Sequence, residues 1–310
     1  MRTGNTEIAR ARHSRAWMWT LASLAVAVTA ILLPGQKAGA TSPRTVHRAP
    51  APTKVVLIVF ENHDYTSIVG NRQAPYFNAL IHDGTLFRKY YAVTAGSNKD
   101  YLAMTSGRTT ETSPAAKNIF EQIEAAGGWR ELDESMGAHC GGRTSRKVPG
   151  TTVPLYTRNH DPAFMYKSTE SCTSDDVSLT SSGQLKSLPA FSIIIPNDCD
   201  DMHTLPKTDS CPSYFGALHA ASAIGIGDTW LAHVVPLLLA DPSITVVITF
   251  DEGQSPDERV YALEVGAGVK AGTTNSTVYN HFGLLAGLYV HFGLGKAPNN
   301  AAAATAVPIG

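Results

Sequence analysis

Glu61-Asn62-His63-Asp64 brings two carboxyl groups, an amide and an imidazole into four consecutive positions. Three further segments are similarly polar: 94–100 (TAGSNKD), 197–203 (NDCDDMH) and 251–253 (DEG). Adjacent carboxylates repel one another, and a dication is the usual way to hold several together. Oxygen donors predominate with imidazoles nearby, a set that suits Zn, Mn, Fe, Ca or Mg without choosing among them. Ser97 has a different character, standing just before an expected helix start, where backbone N–H groups favour an anion. Its ordinary use there is as an N-cap. Beside a metal cluster the same hydroxyl is a credible nucleophile, because a metal lowers its pKa and the helix terminus stabilises phosphate oxygens.

Each of these segments leaves an apolar run. Residues 55–60 (VVLIVF), 190–196 (AFSIIIP) and 244–250 (ITVVITF) have the composition of buried strands, and 87–93 is a further strand candidate. In open parallel sheets, ligands bind outside the carboxyl ends of such strands. Helical spacing covers 75–82, 98–106 (ended by Gly107), 119–126, 228–239 and 280–292, and 261–265 is a shorter strand. This alternation implies an α/β fold, a mainly parallel central sheet with helices on both faces. The span 140–188 is rich in Ser, Thr, Gly and Lys, and is expected as a surface excursion carrying site residues. Plainer uses are expected for several polar residues. Asp228 fits a helix N-cap, His63 and Asp64 fit exposed turn positions, and Asp198 and Asp201 bracket Cys199 in a polar loop. His139, His233 and His291 suit structural or exposed roles.

The 310 residues are 43% hydrophobic, enough to bury a sizeable core, and residues 54–310 are expected to form one domain. A net charge of −1 with dispersed Lys and Arg argues against nucleic acid or an anionic membrane as the main partner. Residues 1–40 have the charged, apolar and small-residue order of a secretory signal peptide, with cleavage expected after Ala40. An N-terminal membrane anchor is the alternative reading of the same run, and no membrane span is expected in the mature chain. Residues 41–53 (TSPRTVHRAPAPT) read as a flexible leader. In an oxidising compartment the four cysteines suggest two disulfides. Three pairings are possible, and sequence proximity favours Cys140–Cys172 and Cys199–Cys211.

Over about 54–295 the chain resembles the bacterial phosphoesterase family of secreted acid phosphatases and phospholipases C, a branch of the alkaline-phosphatase-like superfamily. The likeness is strongest to its short mycobacterial-type acid phosphatases. It rests on Glu61-Asn62 with Gly70, "NDCDDMH", "GDTWL", "ITFDEG" and "YNHFGLL", which occur in the family's order. The resemblance implies a divalent metal, with Glu61 and Asn62 as ligands from the first strand and Asp251 and Glu252 from the late one. It implies Ser97 as nucleophile, ten residues before Gly107. His203 and His281 would bind phosphate, protonate the leaving oxygen or complete a second metal site, joined by Asp200. His160 in "RNHDP" matches the family's His-Asn-Pro element, with Asp161 in place of Asn.

Around the nucleophile the chain departs from the family's His-Pro-Ser-x-Pro-Asn-Tyr, reading Ala95-Gly96-Ser97-Asn98-Lys99-Asp100-Tyr101. Asp100 is expected to add negative charge where phosphate binds, offset by Lys99. The activity implied is an exported, metal-dependent phosphomonoesterase acting on small phosphate esters or phospholipid head groups. Two alternatives remain: a phospholipase C-type phosphodiesterase, and a non-catalytic relative that binds metal or phosphate.

Overall fold

The computed structural model describes residues 54–110, 117–141, 145–147, 154–166, 171–203, 210–220 and 222–310. The expected signal peptide and leader lie outside them. The fold below is that of the unit Pro50–Gly310.

Its main sheet has eight strands among the described residues: β1 (Lys54–Phe60), β2 (Gly84–Phe87), β3 (Trp129–Glu134), β4 (Asp176–Leu179), β5 (Phe191–Ile195), β6 (Ile244–Phe250), β7 (Ala262–Gly266) and β8 (Thr273–Asn275). They lie in the order β8-β2-β7-β6-β1-β5-β3-β4. From β6 to β4 all pairings are parallel, while β7 runs antiparallel to both neighbours. β1 occupies the middle because it can be buried on both faces. All six residues 55–60 are at most 1% exposed, and each such side chain contributes roughly 1.5–3 kcal/mol.

Alternation along β1 sends Phe60 to one face, where it packs on Phe77 and Trp230. Those rings belong to helices α1 (Pro75–Asp83) and α3 (Ala223–Leu239). Glu61 follows and meets Tyr101 of α2 (Ser97–Ser106) on the other face. The last helix, α4 (His281–His291), packs against α2. Helices on both faces therefore close a mostly parallel sheet. Among the described residues, no helix is long and apolar enough to cross a membrane.

Three local expectations are corrected. The run 87–93 is not one strand: β2 ends at Phe87, and Tyr90–Tyr91 pairs separately with Tyr279–Asn280. Helix α3 begins at Ala223, capped by Ser222, whose side chain accepts from the Gly225 N–H at 3.1 Å. Asp228 therefore lies inside α3 and is not its N-cap. It caps a different helix, accepting the N–H groups of Tyr76 and Phe77 at 2.8 and 2.9 Å. Ala74 precedes α1 and gives it no side-chain cap, so Asp228 satisfies those orphan donors across the helix pair. Gly227 matters for close approach. A Cβ there would stand 2.6 Å from Met202 Cε and 2.9 Å from the Asp200 carbonyl oxygen.

Candidate active site

The β1–β6 register ends with Phe60 opposite Phe250, so Glu61 and Asp251 emerge side by side. Backbone bonds lock this edge: the Asp251 N–H donates to the Phe60 carbonyl at 2.9 Å, and the Glu61 N–H to the Asp201 carbonyl at 3.0 Å. The second bond joins the loop after β5 to the end of β1. Asn62 turns with a positive φ of 43°, a conformation that Asn tolerates better than most residues. Its N–H donates to Asp251 Oδ1 at 3.1 Å.

Three buried side chains, Glu61, His160 and Asp201, place ligand atoms within 4.8 Å of one another. His160 Nε2 lies 3.5 Å from Glu61 Oε1, and its ring stacks on Tyr101. Its Nδ1 is 3.5 Å from Asp198 Oδ1 and 3.9 Å from Asp201 Oδ2. Burial pushes Glu61 well above the usual carboxylate range, and the charges of Asp251 and Asp201 push the same way. Asp201 is raised by its own burial and then by Asp198. Glu252, half-buried beside Asp251, is pushed up to about 7, chiefly by burial. Asn62 Oδ1, Asp201 Oδ2, Asp251 Oδ2 and Glu252 Oε2 are buried without a hydrogen bond. Unsatisfied acceptors on crowded carboxylates are the environment a bound cation would relieve. The donor set fits a divalent metal.

Ser97 is the first residue of α2. The N-cap position belongs to Gly96, which makes no side-chain cap, so the plainer role expected for Ser97 is not the one observed. Its hydroxyl instead donates to Glu61 Oε2 at 3.2 Å, with Glu252 also in reach. The start of α2 faces a cavity of about 660 Å³, whose lining includes Ser97, Asn98, Lys99, His160, Asp198 and His203. Asp100 does not join that lining and is fully buried. Its carboxylate accepts from the Val93 and Thr94 N–H groups at 2.9 and 3.2 Å and from the Thr94 hydroxyl at 2.6 Å. The negative charge expected to face the ligand is thus turned inward, where it fastens the loop that leads into Ser97.

Two expected site residues stand elsewhere. Asp200 points away from the cluster, toward Asn197 Nδ2 at 3.1 Å and the buried carboxyl of Glu134. His281 is fully buried beneath Asp251, its Nε2 2.5 Å from the Asp251 carbonyl and its Nδ1 3.0 Å from the Tyr90 hydroxyl. A carbonyl only accepts, so Nε2 carries the proton and Nδ1 accepts from Tyr90. Burial lowers its pKa to about 4, and it acts as a neutral brace for Asp251. His203 lines the cavity.

Two contributors were not expected from the sequence. Asp201 belongs to the buried cluster. Asp64 accepts from the N–H groups of Gln254 and Ser255, at 2.8 and 3.0 Å, and from the Ser255 hydroxyl, tying down the loop after Glu252. The signal for Asp201 was its place two residues before His203 in a loop that leaves a buried strand.

A family model described as the phosphoesterase family matches residues 69–295. The chain belongs to that family. This phosphoesterase is 27% identical over 259 residues to a phosphatidylinositol-3-phosphatase from Mycobacterium tuberculosis, covering 80% of this chain and 79% of that one. It is 25% identical to a phosphate-repressible acid phosphatase from Penicillium chrysogenum, covering 78% of this chain and 59% of that protein. Among solved structures, a Vibrio parahaemolyticus protein of the alkaline phosphatase superfamily superposes with a TM-score of 0.56. That match covers 81% of this chain and 69% of the other at 11% identity, a likeness of fold. The phosphoesterase is accordingly a hydrolase of phosphoric ester bonds.

Its cysteines pair as sequence proximity favours, Cys140 with Cys172 and Cys199 with Cys211. The second bridge closes the loop that carries Asp201 and His203, starting directly after Asp198. Replacing Cys199 and Cys211 by Ser is expected to lower stability by roughly 2–4 kcal/mol and to reduce turnover, as Asp201 loses its fixed position. Urea melts alongside an activity assay check this. Unchanged turnover would show that the loop keeps its shape without the bridge.

Proposed function

We propose that this phosphoesterase is an exported, metal-dependent phosphomonoesterase that works through Ser97. The observation that carries the reading is the Ser97 hydroxyl, which lies at a helix start on a cavity and 3.2 Å from a buried, carboxylate-rich cluster. Glu61, Asn62, Asp201 and Asp251 would hold the divalent ion, with His160 and Glu252 beside them. When bound, such an ion supplies Lewis-acid polarisation of a phosphoryl oxygen and lowers the pKa of the serine hydroxyl.

The chain's own groups do the rest. Lys99 and the first turn of α2 draw the phosphate dianion into the cavity. Ser97 Oγ forms a bond to phosphorus as the ester P–O bond breaks, and its proton leaves toward the carboxylates it already faces. His203 gives a proton to the departing alcohol oxygen. Water then attacks the phosphoserine, releasing phosphate and restoring the hydroxyl. His281 holds the Asp251 backbone in place throughout.

Similarity to a phosphatidylinositol-3-phosphatase and to an acid phosphatase supports monoesters, including phosphorylated lipid head groups, over diesters. Two disulfides support an oxidising compartment. The test assays the mature protein on p-nitrophenyl phosphate, a phosphoinositide and phosphatidylcholine, each with chelator and after restoring Mg, Ca, Mn, Zn or Fe. Monoester turnover that falls in chelator and returns with a metal is the expected result. Turnover of phosphatidylcholine ahead of both monoesters would move the reading to a phosphodiesterase, and no turnover with any metal would overturn it.

A further inference from the structure

A second group of buried acids lies away from the cavity. Glu131 and Asp133 stand two residues apart on β3 and so share one face of the sheet. Asp161 and Asp176 come to the same face from the turn after His160 and from the start of β4. All four are at most 1% exposed. Ligand oxygens of Glu131, Asp133 and Asp161 lie within 4.8 Å of one another, and Asp176 is directly beside Asp133.

A count of donors shows what is missing. Glu131 Oε2 accepts the Ala163 N–H at 2.8 Å, and Asp176 Oδ2 the Gly141 N–H at 3.0 Å. Asp161 accepts from the Tyr156 hydroxyl and the Phe164 N–H, at 2.7 and 3.0 Å. Four buried carboxylate oxygens still have no hydrogen bond: Glu131 Oε1, both oxygens of Asp133, and Asp176 Oδ1. Arg158 bonds the Gly141 carbonyl through Nε at 2.8 Å, lies over the Phe164 ring and favours the charged form of Asp161, while the four oxygens named above still lack a donor. Burial pushes all four acids above the usual carboxylate range, Asp161 to about 6 and Asp176 to about 8. Such a group is stable only with added protons or with a cation at its centre.

We propose that Glu131, Asp133, Asp161 and Asp176 form a structural calcium site, separate from the catalytic cluster. Carboxylate oxygens alone select a hard cation, and the neighbouring Cys140 and Cys172 offer no thiolate because they are bonded to each other. Calcium fits better than magnesium, because magnesium keeps several of its waters and this group is closed to solvent. The ion would tie β3, β4 and the 158–161 turn into one unit. Asp161 directly follows His160, whose ring lies 3.5 Å from Glu61, so the site fixes the segment that delivers His160 to the active site.

The test separates the two metal sites by using Asp251→Asn, which disables the catalytic cluster alone. Metal content of that purified variant, and its thermal midpoint with and without calcium, are the readouts. Retention of about one calcium per chain, as expected of a single closed site, with a midpoint that rises with calcium, is the expected result. Asp133→Asn in the same background should weaken calcium uptake by on the order of 100-fold. Glu131→Gln, which keeps the acceptor for Ala163, replaces it if that variant does not fold. Terbium luminescence sensitised by Tyr156 gives an independent signal. Absence of calcium from Asp251→Asn, or calcium uptake unchanged by the substitution at 133 or 131, would overturn the proposal: the acids would then be held together by protons.

Discussion

Ser97→Ala lowers kcat by on the order of 10³-fold or more while the thermal midpoint stays near that of the parent. The two halves of this expectation have separate causes. Ser97 is the first residue of α2 and supplies no cap, so Ala costs the helix nothing there. Glu61 loses one donor but keeps two, Asn62 Nδ2 at 3.3 Å and the Tyr101 hydroxyl at 3.2 Å. What disappears is the oxygen proposed to bond to phosphorus. Phosphate binding should persist, since Lys99, His203 and the helix start remain, and no phosphoserine should form when the variant is quenched with labelled substrate. Ser97→Thr keeps a hydroxyl at the same place and should recover part of the rate. Full turnover in Ser97→Ala would mean that water attacks directly. Phosphate binding without turnover in the parent, unaltered by the substitution, would mark a binding protein.

Most of this arrangement was legible where composition and burial agree. The runs 55–60 and 244–250 are apolar because both faces of those strands are covered, and their abrupt ends at Glu61 and Asp251 mark the edge of the sheet. β3 was not legible. Its sequence, WRELDE, looks like a surface segment, yet Glu131, Asp133 and Glu134 are buried within the sheet. No hydrophobic pattern reports a strand whose polar groups serve inside the fold. Asp228 misled for a related reason. A carboxylate before helical residues suggests a cap, and it is one, but for a helix more than a hundred residues away in the chain. The inward turn of Asp100 depends on Val93 and Thr94 curling back to meet it, a contact that only the folded loop creates. Family resemblance carried Glu61, Ser97 and Asp251 into one site, but it could not say which of Asp200 and Asp201 turns toward it.

Those two neighbours give the sharpest remaining expectation. Asp201→Asn should strip metal from the catalytic cluster and lower kcat/KM by on the order of 10²–10³-fold, about 3–4 kcal/mol of transition-state stabilisation, and Glu61→Gln should match it. Both acids are fully buried, with ligand oxygens in the Glu61–His160–Asp201 group. Asn in place of either carboxylate removes a charge that the proposed cation would need. Folding should not suffer, because each substitution also relieves repulsion among the crowded acids Glu61, Asp201 and Asp251. Asp200→Asn should behave oppositely, with near-parental metal content and turnover. Burial, and after it the charge of Glu134, holds Asp200 well above the usual carboxylate range, and its carboxyl accepts from Asn197 and faces Glu134 instead of the metal cluster. An Asn side chain keeps an oxygen to accept from Asn197, while Trp230, Ser213 and Tyr214 continue to donate to Glu134. Metal analysis and steady-state kinetics on the three variants decide the matter. If Asp200→Asn loses the metal and Asp201→Asn keeps it, the loop after β5 presents its other carboxylate to the site, and the assignment of Asp201 is wrong.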